Sequence, residues 1–233
     1  MMFNKMKDHR VRLGSPAIKC DSVGDYWLSF TMASNEPFKE TKLPKNTPIG
    51  IDLNTENLYM DSDGNRVDNP RFYRNSLKRL GKQQRKLSRR RDRAKKEKRN
   101  LRFQAHNYQK QRVLVAKLAR KVRNQRNYFL NVVSTELVKK HDRVFIEDLM
   151  GKNMLKNHAL AMSISDVGWR TFVYQLTYKE EMFGGEVVKV NPKNTTQTCL
   201  SCGFLMGDKD TQKLTLKDRE WTCPECGDRK SVV

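Results

Sequence analysis

The chain has 233 residues, enough for one sizeable domain or two small ones, and its 37% hydrophobic content sustains a modest core with long polar helices. Its 47 Lys and Arg against 26 Asp and Glu leave a formal net charge of +21, which excludes an acidic or disordered solvating tail and calls for a polyanionic partner. No apolar run approaches the roughly 20 residues that span a bilayer, and Met1 to Asp8 hold no secretory-type apolar stretch. A cytoplasmic, nucleoid-associated location without disulfides is therefore expected, because reducing compartments keep thiols free.

In chain order, Val11, Leu13, Ile18 and Cys20 precede a Gly24-Asp25 turn, and Tyr26, Leu28, Phe30 and Met32 alternate with period two. This predicts a hairpin over residues 9–33 with Cys20 buried in a strand. Residues 35–48 contain three prolines and suggest a linker. A strand begins at Ile49–Leu53, resumes at Leu58–Met60 and turns back at Ser62–Asn65. From Arg71 to about Lys140 the pattern is helical, in two helices that form a basic arm. Arg85, Lys86, Arg89, Arg90, Arg91, Arg93, Lys95, Lys96, Lys98 and Arg99 crowd its first half, offset in that run only by Asp92 and Glu97. A nearly one-signed surface repels itself unless a partner compensates, so this face is the predicted nucleic-acid contact.

In the second half of the arm Leu114, Leu118, Val122, Phe129, Val133 and Leu137 recur near helical spacing and predict a buried face. Val144–Ile146 is a compact strand ending in Glu147-Asp148, followed by a loop with Lys152, Asn153, Lys156, Asn157 and His158. A helix is expected from about Ile164 to Phe183, with Trp169 and Phe172 on its packed face. Gly184-Gly185 ends it, and Val187, Val188 and Val190 make a further strand.

Two constellations carry chemistry. Cys199-x-x-Cys202 and Cys223-x-x-Cys226, twenty residues apart, can supply four thiolates to one tetrahedral zinc of the structural kind. Gly203 and Gly227 each follow a knuckle's second cysteine, where the chain turns tightly. Asp52 lies inside one apolar strand and Glu147 ends another. On adjacent strands they would share magnesium, as in two-metal phosphodiester hydrolysis, although the residues alone do not establish that they meet. Asp61, Asp63 and Asp148 are better suited to turns or the surface. His106, His141 and His158 lack metal-ligand spacing.

Ile49-Gly50-Ile51-Asp52-Leu53-Asn54, the arginine-rich helix, Ile146-Glu147-Asp148-Leu149, the run from Val190 to Cys199 and Cys223-Pro224-Glu225-Cys226-Gly227 occur in the order found in TnpB proteins. From about Ile49 to Gly227 the chain resembles the C-terminal part of this family of RNA-guided DNA endonucleases, also known as OrfB transposases. The resemblance implies an α/β fold: a RuvC-like, RNase H-type sheet, an inserted basic helical pair and a four-cysteine zinc ribbon. It implies Asp52 and Glu147 as the first and second catalytic, magnesium-binding carboxylates, with DNA and guide RNA as partners.

The corresponding division is a wedge-type β remnant and linker at 1–48, an incomplete RuvC-like domain at 49–190 that includes the helical pair 71–140, and the ribbon at 191–233. In the family a third carboxylate, within an Arg-Asp-x-Asn-Ala-Ala stretch, follows the ribbon. Here Asp228-Arg229-Lys230-Ser231-Val232-Val233 follows Gly227, and Asp228, directly after the knuckle, is not expected to replace it. The expectation is a chain truncated at both ends that binds nucleic acid and is deficient in cleavage. The alternatives are an active magnesium-dependent DNA endonuclease and a basic zinc-ribbon component of a ribonucleoprotein.

Overall fold

Alternation along two apolar strands sorts the side chains of one sheet into a core face and an open face. The computed structural model describes residues 11–34, 46–148, 163, 166–208, 211–215, 218 and 220–231. The loop residues Lys152, Asn153, Lys156, Asn157 and His158 and most of the expected linker lie outside these.

The first segment is the expected hairpin, formed as two short ladders: β1 (Val11–Leu13) with β4 (Met32–Ser34), and β2 (Ala17–Cys20) with β3 (Tyr26–Ser29), both antiparallel. Apart from Val11, which is buried, its apolar side chains are largely exposed, with Ile18 74% and Tyr26 77% exposed. Cys20 is exposed too, which corrects the expectation that it is buried. A two-stranded ribbon has no second layer to cover it, so alternation alone cannot bury its residues. Its turn is held by Arg120, which reaches both Asp21 and Asp25. Asp21 also accepts the backbone N–H groups of Val23 and Asp25, and the Val23 bond leads in holding its carboxyl well below the usual range.

The main sheet runs β7-β6-β5-β8-β9, with β5 Pro48–Leu53, β6 Asn57–Asp61, β7 Arg66–Asp68, β8 Arg143–Glu147 and β9 Glu186–Val190. The three strands β5, β6 and β7 meander antiparallel, whereas β8 and β9 continue from β5 in parallel. Parallel neighbours need crossovers. Here β6, β7 and two long helices, α1 (Phe72–Lys96) and α2 (His106–Lys140), lie between β5 and β8. Between β8 and β9 lies α3 (Trp169–Phe183). Just before β5, the backbone N–H groups of Asn46 and Thr47 donate to Asp142 at 2.7 and 3.0 Å, so the last residues of the expected linker are anchored at the foot of β8.

One face of the sheet is the core. Ile49, Ile51 and Leu53 of β5 and Val144 and Ile146 of β8 pack with Leu130, Val133, Leu137 and Val138 of α2 and Trp169, Phe172 and Leu176 of α3. Tyr59 stacks on Phe172 with centroids 5.7 Å apart. Lys179 of α3 is only 6% exposed, yet its three N–H donors find Asn131 O, Ser134 Oγ and Thr135 Oγ1 on α2 at 2.7–2.8 Å. A buried ammonium is tolerable on those terms.

The two-helix arm is present, with one difference from the sequence reading. Leu114 is 43% exposed, because this part of α2 faces a single helix instead of the sheet; there the packing includes a polar contact, Gln111 Nε2 donating to Gln83 Oε1 at 2.9 Å. The third helix, Trp169–Phe183, follows Gly168, whose φ of +78° is the left-handed conformation glycine favours; the expected start at Ile164 lies outside the described residues.

At the start of α1, Arg71 is left-handed and supplies no side-chain cap. The cap comes from Asp166, 4% exposed, whose two oxygens accept the N–H groups of Tyr73 and Arg74 at 2.8 and 3.1 Å. Asp166→Ala should cost about 1–3 kcal/mol and fray the first turn of α1, which urea unfolding and amide exchange would register. Phe172→Ala, at the fully buried centre, should cost about 3–5 kcal/mol in the same urea titration.

Candidate metal centres and nucleic-acid surface

Ile51 of β5 pairs in parallel with Ile146 of β8, so Asp52 and Glu147 follow one residue later on neighbouring strands. Since Ile51 and Ile146 point into the core, period two sends both acids to the opposite face. There they line an open depression of about 330 Å³ with Gly50, Met60, Asp61, Ser62, Phe145 and Val190. The acids are half-buried on this open face, which changes the energetic problem posed by the sequence: a carboxylate inside an apolar strand is not a carboxylate inside the core. Burial, followed by the charge of Glu147, raises the Asp52 carboxyl above its ordinary value. Neither acid forms an ion pair with a described residue. Two like charges, partly desolvated and without a basic partner among the described residues, present the oxygen donor set that suits a hard divalent cation.

Asp61 lines the same depression but is committed locally, its Oδ1 accepting the N–H groups of Asp63 and Asn65 at 3.1 and 2.8 Å. Asp148 lies near Lys189, 3.7 Å away at the surface. Asp228 belongs elsewhere: its Oδ2 accepts from Ser201 Oγ at 2.7 Å and lies 4.0 Å from Cys199 Sγ. Among the described residues, Asp52 and Glu147 are thus the two acids of the depression not committed to a turn or to an ion pair.

The four predicted cysteines converge, their sulfurs all lying within 4.8 Å of one another. Cys199 and Cys226 are 3.6 Å apart and Cys202 and Cys223 3.5 Å, close to the roughly 3.8 Å expected between thiolates around tetrahedral zinc and far beyond a disulfide bond. The two knuckles are built alike. Cys199 N–H donates to Phe204 O and Gly203 N–H to Cys199 O; Cys223 N–H donates to Asp228 O and Gly227 N–H to Cys223 O. Gly203 and Gly227 have φ of +75° and +73°. The backbone N–H of Cys202, helped by that of Ser201, lowers the Cys199 thiol to about 7 despite its burial. Trp221 on β10 (Glu220–Thr222), paired with β11 (Arg229–Ser231), closes a small core with Phe204, Met206 and Leu214 beneath the cysteines.

The run between β9 and the first knuckle stands out in the sequence as a unit, but its individual tasks emerge only in three dimensions. Thr195 Oγ1 donates to Glu147 Oε1 at 3.0 Å. Gln197 exchanges two hydrogen bonds with the backbone of Leu214, at 3.0 and 2.9 Å. Lys230 reaches back from β11 to the carbonyls of Thr195 and Thr198. Polar side chains next to a metal knuckle are the only signal for them in the sequence.

On α1, Arg85, Lys86, Arg89, Arg91, Arg93, Lys95 and Lys96 are exposed. Arg90 is half-buried and donates to Asn107 O at 2.8 Å, pinning α1 to α2. The helix survives its own charge partly because Arg93, Lys95 and Lys96 occupy the last turn, where the helix dipole favours cations. No helix among the described residues is long and apolar enough to cross a membrane.

Residues 29–158 match the family model OrfB_IS605, described as "Probable transposase", and residues 169–230 match the Cas12f1-like TNB domain. A Streptomyces pristinaespiralis protein named "Putative RNA-guided DNA endonuclease" is 36% identical over 180 residues, covering 77% of this chain and 40% of that relative. The Escherichia coli K12 protein named "Putative RNA-guided DNA endonuclease InsQ" is 31% identical over 175 residues, covering 69% of this chain and 41% of its own length. This chain therefore spans about two fifths of the curated relatives it matches. A solved Cas12f1-sgRNA-target DNA complex aligns at TM-score 0.45 and 15% identity, over 88% of this chain and 50% of that one. With one family model spanning residues 29–158 and a second spanning 169–230, the chain belongs to the TnpB/OrfB family.

Proposed function

We propose that these 233 residues form the nuclease-and-ribbon portion of an RNA-guided DNA endonuclease, binding guide RNA and DNA. In this reading Asp52 and Glu147 are catalytic carboxylates that hold magnesium. The observation that carries it is their placement on adjacent parallel strands, one residue beyond the Ile51–Ile146 pair, on the open face of the sheet. The strand order β7-β6-β5-β8-β9, with three antiparallel strands joined to two parallel ones, supports a RuvC-like, RNase H-type assignment for residues 49–190, with the helical pair 71–140 inserted in it. In the same reading residues 191–233 form the zinc ribbon, and residues 1–48 a wedge-type β segment and linker.

Bound magnesium would activate water and stabilise the leaving oxygen of a phosphodiester. The chain's own contribution is to fix two carboxylates side by side on a face open to substrate. Asp61 is committed to its own turn and Asp228 to the ribbon, so among the described residues Asp52 and Glu147 are the two carboxylates offered to a task the family performs with three. Binding without efficient cleavage is the behaviour expected of these residues on their own. The adjacency of the two acids favours this reading over a purely structural ribonucleoprotein component.

Incubating the purified chain with plasmid, magnesium and its transposon-end RNA, beside an Asp52→Ala control, should give binding with little nicking. Nicking that vanishes in the control would establish the active-endonuclease alternative. Replacing Arg85, Arg89 and Arg93 together by Gln should weaken binding by roughly tenfold or more. It should also flatten the salt dependence by about one unit of slope for each phosphate no longer neutralised; an unchanged slope would remove α1 from the interface.

The cysteine cage should hold one zinc per chain, measured by elemental analysis. Cys223→Ser should abolish it, and Cys20→Ser should leave it intact. Asp52 has a further signature in metal-free protein. Its folded-state pKa is raised from 3.8, so its contribution to stability is present below that value and lost as pH rises through the raised one. Asp52→Asn should raise the neutral-pH Tm of the metal-free chain and remove the added stability that magnesium confers on the parent.

A further inference from the structure

We infer that Thr195 is a positioning residue for Glu147, held in place by Lys230 of the cysteine ribbon, so that ribbon and strand acids form one mechanical unit. The inference deepens the reading of Asp52 and Glu147 as cation ligands and rests on it.

The chain leaving β9 is shaped to deliver this hydroxyl. Asn191 Oδ1 accepts the N–H of Lys193 at 3.0 Å, and Asn194 takes a left-handed φ of +62°, reversing the chain so that Thr195 meets the end of β8. The single hydroxyl proton has two acceptors within reach, Glu147 Oε1 at 3.0 Å and Pro192 O at 3.3 Å. The closer, anionic oxygen takes it, because a hydrogen bond to a charged acceptor is the stronger. One oxygen of Glu147 is thereby oriented, and its second oxygen and remaining lone pairs stay available to a cation. Without the hydroxyl, Glu147 would be free to rotate away from the like charge of Asp52.

Thr195 is in turn fixed from the ribbon. The ammonium of Lys230 donates to the carbonyl of Thr195 and, at 2.9 Å, to that of Thr198, one residue before the first cysteine. Thr198 Oγ1 closes the turn by donating to Asn194 O at 2.9 Å. A path of hydrogen bonds therefore runs from β11 through Lys230 and Thr195 to Glu147. Residues that orient a carboxylate ligand typically change metal affinity by roughly 10–100-fold when removed.

The test uses the zinc-loaded full chain and Mn2+ as probe, with free Mn2+ followed by electron paramagnetic resonance and zinc content by elemental analysis. Thr195→Val should weaken Mn2+ binding roughly tenfold without loss of zinc or of Tm, and Thr195→Ser, which keeps the hydroxyl, should bind as the parent does. Lys230→Met should also weaken Mn2+ binding at unchanged zinc content. Asp52→Asn separates the two levels of inference. If it abolishes Mn2+ binding while Thr195→Val binds like the parent, the positioning role is wrong and the acid site stands. If Asp52→Asn binds Mn2+ as the parent does, the acid site falls and the positioning role with it. Parent-like Mn2+ affinity in Lys230→Met alone would sever the ribbon from the network.

Discussion

The parallel ladder between β5 and β8 sets the position of every group on the open face. Its register places Ile51 beside Ile146 and, one residue on, Asp52 beside Glu147. A slip of one residue in either strand would turn an acid into the core and an isoleucine out of it, at the combined cost of a buried charge and forfeited apolar burial. The pattern that makes the core is therefore the same pattern that brings the acids together. Helices α2 and α3 enforce it from below, since Leu130, Val138, Phe172 and Leu176 present an apolar surface to that face of the sheet.

The same arrangement stores an electrostatic conflict. Two half-buried acids repel, and the chain devotes Thr195 to one of them while leaving Asp52 with a raised pKa. The basic arm carries the opposite conflict on a larger scale, with many cations and few anions along α1. It is held by interactions that do not depend on neutralising that charge: the Asp166 cap, the Gln111–Gln83 contact, the Arg90–Asn107 bond and the buried side chains of Leu80 and Ala94. Charge is left facing solvent on both surfaces, negative in the depression and positive along the arm.

Much of this was legible in the sequence because it is encoded by period and spacing. The hairpin, the strands around Ile51 and Ile146, the two-helix arm and the paired cysteines each rest on a local pattern. The parts that were not legible depend on partners far along the chain. Whether alternation buries a residue depends on a second layer, so Cys20 and Ile18 are exposed despite a regular pattern. Leu114 fits the helical stripe but lies where α2 faces only one helix. The cap of α1 is supplied by Asp166, more than ninety residues away. Of the candidate site, Asp52, Glu147 and the four cysteines were singled out from residue type and resemblance. The tasks of Thr195, Gln197 and Lys230 needed the fold.

The likeness of the two knuckles has a consequence for how the ribbon tolerates change. Each turn closes on its own backbone bonds and its own left-handed glycine, so neither depends on the other for its shape. The stretch between them is fastened near its middle, where the Gln197 amide pairs with the backbone of Leu214. The cost of closing a loop grows only slowly with its length. The cage is thereby insulated from the interval it encloses: residues added or removed at the surface of that interval need not move a sulfur, and the ribbon can vary in length without being redesigned.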